Sequence, residues 1–197
     1  MAAALDPFIP ELDVRERHET TVRAPADLCY DVARSYDMQS IPVIRAIFRL
    51  RSALLRSRVS PSSAGLDTEA LRAMGWGTLA EQPGRFLVAG AVCQPWLPDV
   101  VFSPVAPERF AEYREPDRVK IAWTLETEPL GPSLTAFATE TRAVATDSRS
   151  RARFRRYWRR FGIGIRLIRW LLVPAMRRRA EAIWRGAAAS GAGRGLP

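Results

Sequence analysis

The residues of this chain that could do chemistry by type are one histidine, two cysteines and a Glu/Arg pair inside an apolar strand. His18, the only histidine, keeps the alternation of Val14, Glu16, Thr20 and Val22, so it shares a strand face with them. Its ordinary pKa near neutrality suits an acid or base in a cavity; a hydrogen-bonded or edge-exposed histidine fits the same pattern. Glu140 and Arg142 are two apart and so point to one side of a strand. Which side depends on the register of the hairpin made with residues 119–127. If paired residue numbers sum to an odd value, Glu140 and Arg142 share the inner face with Ile121 and Trp123, as a buried polar set needing a ligand or each other. An even sum puts Phe137 and Thr139 inside and sets Glu140 beside Lys120 on the outer surface. The turn Pro129-Leu130-Gly131-Pro132 does not choose between them. His18 and Glu140 are the candidate acid/base groups, and no other catalytic residue is indicated.

Other chemistries lack their signatures. No Cys, His or carboxylate set has metal-ligand spacing, so no metal is expected. Gly75-Trp76-Gly77 lacks the context of a phosphate-binding loop, and there is no GxSxG elbow, so neither a nucleotide cofactor nor a hydrolase triad is expected. Cys29 and Cys93 fall in helix and strand interiors and read as reduced, buried thiols. The start of the chain has no basic-then-apolar signal pattern. The most apolar segment, 161–176, carries Arg166 and Arg169 and falls short of the roughly 20 residues a spanning helix needs. A cytoplasmic location is the expectation.

The net charge of +9 is a local property. Thirteen arginines and one acid, Glu181, lie between Arg149 and Arg185, and the rest of the chain is net acidic. The arginines of 149–160 interleave with Phe154, Tyr157 and Trp158, a combination that can bind single strands. Here the aromatics share one stripe and the arginines take the other faces, as in a solvated amphipathic helix. Nucleic acid is not an expected partner.

The elements that must position these residues fall into three blocks between a flexible start (1–12) and a flexible tail (186–197), leaving one domain over 13–185. A strand over 14–22 leads through Pro25 into a helix ending near Ser35, and Ser40 caps a second helix with Ile44, Ile47, Phe48, Leu54 and Leu55 on one face. A short helix over 67–74 stops at Gly75. Strands follow over 76–81 and 86–94 around a Gln82-Pro83-Gly84-Arg85 turn, with a short strand near Val101 and one or two helical turns over 107–113. The longest strands, 119–127 and 134–145, precede one helix from Ser148 to Trp184, capped by Asp147 and kinked near Pro174. Its stripe keeps phase through Phe154, Tyr157, Trp158, Phe161, Ile165, Ile168, Leu172, Ala175, Met176 and Ile183. At 1.5 Å per residue it is roughly 55 Å long and must overhang the sheet.

That order is the order of the helix-grip fold, an α+β arrangement in which a curved antiparallel sheet wraps a long C-terminal helix. The opening VRERHETTVRAPADLCYDV, the hairpin GRFLVAGAVCQPW and the run KIAWTLETEPLGPSLTAFATETRAVATD leading into RARFRRYWRRF resemble the START and birch-pollen-allergen-like superfamily, also labelled SRPBCC or polyketide cyclase/dehydrase. The resemblance implies an apolar small molecule or lipid held between the inner sheet face and the long helix. The expected lining is His18, Trp76, Trp96, Ile121, Trp123, Glu140, Arg142, Phe154, Tyr157, Trp158 and Phe161. It does not extend to the oxygenase branch, since one histidine cannot supply a His/His/carboxylate iron set. Carriage or sensing of an apolar ligand without a cofactor is the leading reading. A small cyclase- or dehydratase-like enzyme is the alternative, and an adaptor touching anionic membranes or another protein through the basic helix is the third. A second apolar patch, Ile163, Leu167, Trp170 and Leu171, lies away from the main stripe. The second helix is the expected cover for it, and a membrane surface or a second copy the other.

Overall fold

The computed structural model describes residues 4–37, 40–56 and 68–192. Strand β1 (Val14–Val22) is followed by helices α1 (Ala26–Arg34), α2 (Pro42–Leu55) and α3 (Thr68–Ala73). Strands β2 (Gly77–Gln82) and β3 (Phe86–Cys93), the single turn α4 (Pro107–Phe110), β4 (Val119–Gly131) and β5 (Leu134–Ala145) come next. The chain then runs into α5 (Ser148–Ala192). One antiparallel sheet in the order β1-β5-β4-β3-β2 carries all five strands, and α5 lies across one face of it, which makes this a helix-grip fold.

Strand β4 outruns the expected end at Thr127, and pairing continues to Gly131↔Leu134. The hairpin loop is therefore two residues long. The register is the even one: Lys120 faces Val144, Ala122 faces Arg142 and Trp123 faces Thr141. Val101 starts no strand, and Ser103 makes a single bridge to Val92. Ser40 does not cap α2; Ile41 holds that position without a side-chain bond and Pro42 opens the helix.

The helix side of the sheet, here the inner face, buries Val22, Leu87, Ala89, Leu125 and Phe137 against Cys29, Tyr30 and Ala33 of α1 and Val173, Met176 and Ala180 of α5. On the outer face Val88 and Ala122 pack with Leu79, Phe110, Leu5 and Ile9. Gly90 lets α4 sit down on β3, since a Cβ there would come within 2.9 Å of the Phe110 ring. Residues 4–9 thus close the outer face with Leu5 and Ile9 fully buried, in place of the flexible start expected. The far end also departs from expectation, because α5 continues to Ala192.

Candidate functional site

Along α5 the residues that meet the sheet follow the line Phe154, Trp158, Gly162, Ile165, Arg169, Val173, Met176 and Ala180, all buried or half-buried. Those steps average about 3.7 residues per turn, slightly more than the helix's own 3.6. The contact line therefore winds slowly around the helix, and Ile183, which a fixed phase assigns to the stripe, ends up 44% exposed.

Both ends of the helix–sheet interface carry packed apolar clusters. Near the start of α5, Phe154, Tyr157 and Trp158 pack with Val14, Trp96, Val119, Ile121 and Ala143. Toward the other end Val173, Met176 and Ala180 pack into the α1 core. In between, Phe161, Ile165, Arg169 and Leu172 on the helix and His18, Ile121, Trp123, Thr139 and Thr141 on the sheet are only half-buried. Helix α2 flanks this stretch, with Ile47 against Gly164, where a Cβ would approach the Ile47 side chain to 3.2 Å. Arg51 donates to the Tyr157 hydroxyl at 3.3 Å and to the Pro95 carbonyl at 3.3 Å. We call this strip of the inner face, where half-buried side chains of sheet and helix face each other, the cleft.

Arg169 occupies that cleft from the helix side. Its Nη1 donates to Thr139 Oγ1 at 3.0 Å and its Nη2 to Thr141 Oγ1. The Thr139 hydroxyl donates its hydrogen bond to the Thr124 carbonyl at 2.7 Å, which fixes its oxygen as an acceptor toward Arg169. Among the described residues no carboxylate lies within ion-pair distance of Arg169; Glu16 Oε1 is taken by Arg166 at 2.7 Å. Burial lowers the guanidinium to about 10, with Glu16 and Glu140 acting in the opposite sense, so Arg169 stays cationic at neutral pH.

His18 lies opposite Thr139 across the β1–β5 pair. Burial lowers its pKa, the Arg169 charge lowers it further, and Glu16 opposes both. The shift favours the neutral imidazole, the form that can accept a proton.

The aromatic side of the cleft is assembled around Trp123, the cross-strand neighbour of Thr141. Trp76 meets Trp123 edge-to-face at 6.2 Å and stacks on Phe102 at 4.8 Å. Tyr157 and Phe161 lie 5.0 Å apart, and Phe154 and Trp158 5.9 Å apart. Trp96 stands in the packed end, under the Arg153 guanidinium.

Glu140 and Arg142 are not in the cleft. The even register sends them to the outer face, as the second alternative required, but neither the solvent exposure nor the Lys120 neighbour follows. Glu140 lies opposite Arg17 and Arg142 opposite Arg15 on β1. Their side chains are 2% and 5% exposed; Asp6 and Ile9 of the N-terminal segment cap Arg142, and arginines enclose Glu140. Glu140 accepts from Arg142 Nε at 2.6 Å, from Arg15 at 3.0 and 3.1 Å and from Arg17 at 3.3 Å. Arg142 also donates to Asp6 at 2.6 Å and to the Ile9 carbonyl. Burial pushes the Glu140 carboxyl up, but the hydrogen bonds from Arg15 and Arg142 and their charges outweigh it and hold it below its ordinary value. Lys120, nearby on the same face, donates to the Phe110 and Ala111 carbonyls at the end of α4, and burial lowers it to about 8. These groups fasten the N-terminal segment and α4 to the sheet. Glu140 is therefore removed from the candidate acids of the cleft.

Among the described residues no group of three His, Cys, Asp or Glu side chains could hold a metal ion. Burial pushes the Cys93 thiol up to about 12, which makes it inert. Two surface recesses lie outside the cleft, one of about 220 Å³ beside Cys93, Leu97 and Arg118 and one of about 460 Å³ beside Arg23, Leu134, Glu181 and Trp184.

Reading the sequence for apolar periodicity passed over Arg169 and Thr141, and placed Thr139 inside only in one of the two register alternatives. The signal was present for Arg169: it falls about 60° from Phe154 on the helical wheel, at the edge of the apolar stripe's own span, and is an arginine in an apolar position. For the threonines the signal was the register, which puts odd-numbered β5 residues inside.

No protein-family model matches the chain, and no curated protein is significantly similar to it. Among solved structures, DR_A0006 from Deinococcus radiodurans is 16% identical, covering 77% of this chain and 99% of its own, with a TM-score of 0.33. The Zhui aromatase/cyclase from Streptomyces sp. R1128 is 13% identical, covering 86% and 97%, with a TM-score of 0.30. TTHA0849 from Thermus thermophilus is 11% identical, covering 86% and 99%, with a TM-score of 0.32. Likeness at this level decides neither family nor function, and the fold rests on the strand order and the helix described above.

Proposed function

We propose that this protein binds a hydrophobic small molecule in the cleft between the inner sheet face and α5. The observation that carries the reading is the burial along α5: Phe154 at one end and Val173, Met176 and Ala180 at the other are buried, while Phe161, Ile165 and Leu172 between them, and Ile121 and Trp123 on the facing strand, keep part of their apolar surface uncovered. Apolar walls with a few converging polar groups are the usual make-up of a small-molecule site. Carriage or sensing needs nothing more. An enzymatic reading would have to rest on the imidazole of His18, since Glu140 lies across the sheet.

A second reading is favoured by one row of α5. Ile163, Leu167 and Trp170 share a face, with Ile163 72% and Trp170 67% exposed, and α2 does not cover them. Arg156, Arg159 and Arg160 precede the row and Arg177 and Arg178 follow it, all exposed. An apolar row between clusters of arginine suits the surface of an anionic bilayer. No helix among the described residues is long and apolar enough to cross one.

One set of variants tests both. Wild type should enhance the fluorescence of the neutral probe N-phenyl-1-naphthylamine saturably and co-sediment with phosphatidylglycerol vesicles. Trp123→Ala should weaken probe binding about tenfold and leave vesicle binding intact, while Trp170→Glu should do the reverse. Probe binding that survives Trp123→Ala and is lost in Trp170→Glu would contradict the cleft reading. Equal, weak vesicle binding by wild type and Trp170→Glu would remove the membrane reading.

A further inference from the structure

We infer that the cleft takes an amphiphile whose anionic group, a carboxylate or another oxyacid, seats on Arg169 while its apolar body lies against Trp123 and Trp76. The inference rests on the cleft being a binding site and adds the charge of its ligand.

Arg169 is the charged residue on the line by which α5 meets the sheet, in a position where its neighbours along that line are Ile165 and Val173. A guanidinium removed from bulk water is costly without a counter-charge; buried Lys120 on the outer face has only two backbone carbonyls, but several arginines are given a carboxylate. Glu140 gathers three arginines, Arg34 meets Glu81 at 2.5 Å, and Arg151 meets Asp13 at 2.9 Å. Arg169 receives two neutral threonine hydroxyls instead. They accept hydrogen bonds and orient the planar group, yet they leave its charge uncompensated.

The charged and titratable groups around it do not change this. Glu16 is committed to Arg166, Glu140 lies on the other face of the sheet, and His18 is neutral or adds like charge. Two of the five guanidinium donors are used by Thr139 and Thr141, which leaves three for a ligand. An oxyanion has the charge and the acceptor geometry to take them in pairs. Because Thr141 is the direct cross-strand neighbour of Trp123, and Trp76 stands edge-on to that indole, the anion seat adjoins an aromatic wall. A neutral apolar ligand would use the wall and leave the cation as it was.

Dodecanoate and dodecanol, equal in chain length, separate the possibilities by calorimetric titration of wild type, Arg169→Met and Arg169→Lys. Wild type should bind dodecanoate at least tenfold more tightly than dodecanol at pH 7. Arg169→Met should lose that preference while retaining dodecanol binding, and Arg169→Lys should keep part of it. Wild type alone gives a second readout that survives misfolding of a variant: the preference should collapse as the pH falls below the carboxylate's own pKa, roughly 4–5. Equal binding of the two probes by wild type, or a preference unchanged in Arg169→Met or at low pH, overturns the anion seat and leaves the cleft reading standing. Failure of wild type to bind either probe overturns the cleft reading and this inference with it.

Discussion

Glu140 accepts hydrogen bonds from Arg15, Arg17 and Arg142 on the covered outer face, so its charge holds together β1, β5 and, through Arg142 and Asp6, the N-terminal segment. Replacing it by glutamine keeps the shape and removes the charge that three guanidinium groups share. Removing one partner from a buried ionic set costs on the order of 3 kcal/mol, so Glu140→Gln should lose about that much in urea unfolding at pH 7. The pH dependence follows from the direction of the shift. A carboxyl whose folded pKa is depressed contributes stability that is complete above its unfolded pKa, roughly 4.3, and is lost as the pH falls through the folded value. The gap between wild type and Glu140→Gln should accordingly narrow below about pH 4. A loss under about 1 kcal/mol at pH 7 would mean that Glu140 is solvated and that the arginines do not enclose it. The cover that residues 4–9 give the outer face was not legible in advance. Leu5 and Ile9 are too few and too irregular to show a period, and their burial is a tertiary event.

The same limit operates at the scale of elements, with instructive exceptions. Strand β1 was legible because one face of it meets the helix and the other the N-terminal segment only partly, which leaves a clean alternation from Val14 to Val22. Helix α5 was legible because its apolar residues recur over seven turns. Its cap was as well: Asp147 accepts from the Ser150 N–H at 2.8 Å while Ser150 Oγ accepts from the Asp147 N–H at 3.1 Å. The Ser150 N–H, then that of Asp117, holds the Asp147 carboxyl down to about 2. The β4–β5 register was not legible, because both faces of those strands are buried and apolar residues occupy each. The element-scale prediction concerns the packed end of the interface. Phe154 is fully buried at the start of the contact line, so Phe154→Ala should cost about 3–5 kcal/mol. Arg156→Ala, two residues on and exposed, should stay within about 0.5 kcal/mol. Similar small losses from both would mean that α5 is not gripped.

Taken whole, the molecule divides its polar chemistry between two faces. The outer face ties Glu140 to three arginines and Lys120 to two backbone carbonyls, and is closed by residues 4–9 and α4. The inner face leaves Arg169 without an acid partner among the described residues, beside two tryptophans, in a stretch where helix and sheet are both half-buried. A neutral apolar probe tests that division directly, since the six tryptophans each carry one indole N–H and sample different parts of the surface. Trp76, Trp123 and Trp158 border or adjoin the cleft, Trp170 belongs to the exposed row, and Trp184 lines the recess beside Arg23 and Glu181. Titration of 15N-labelled protein with N-phenyl-1-naphthylamine should shift the indole resonances of Trp76 and Trp123 most and that of Trp158 less, with those of Trp170 and Trp184 unmoved. Shifts confined to Trp170 or Trp184, with Trp123 unmoved at saturation, would place the ligand outside the cleft and contradict the account.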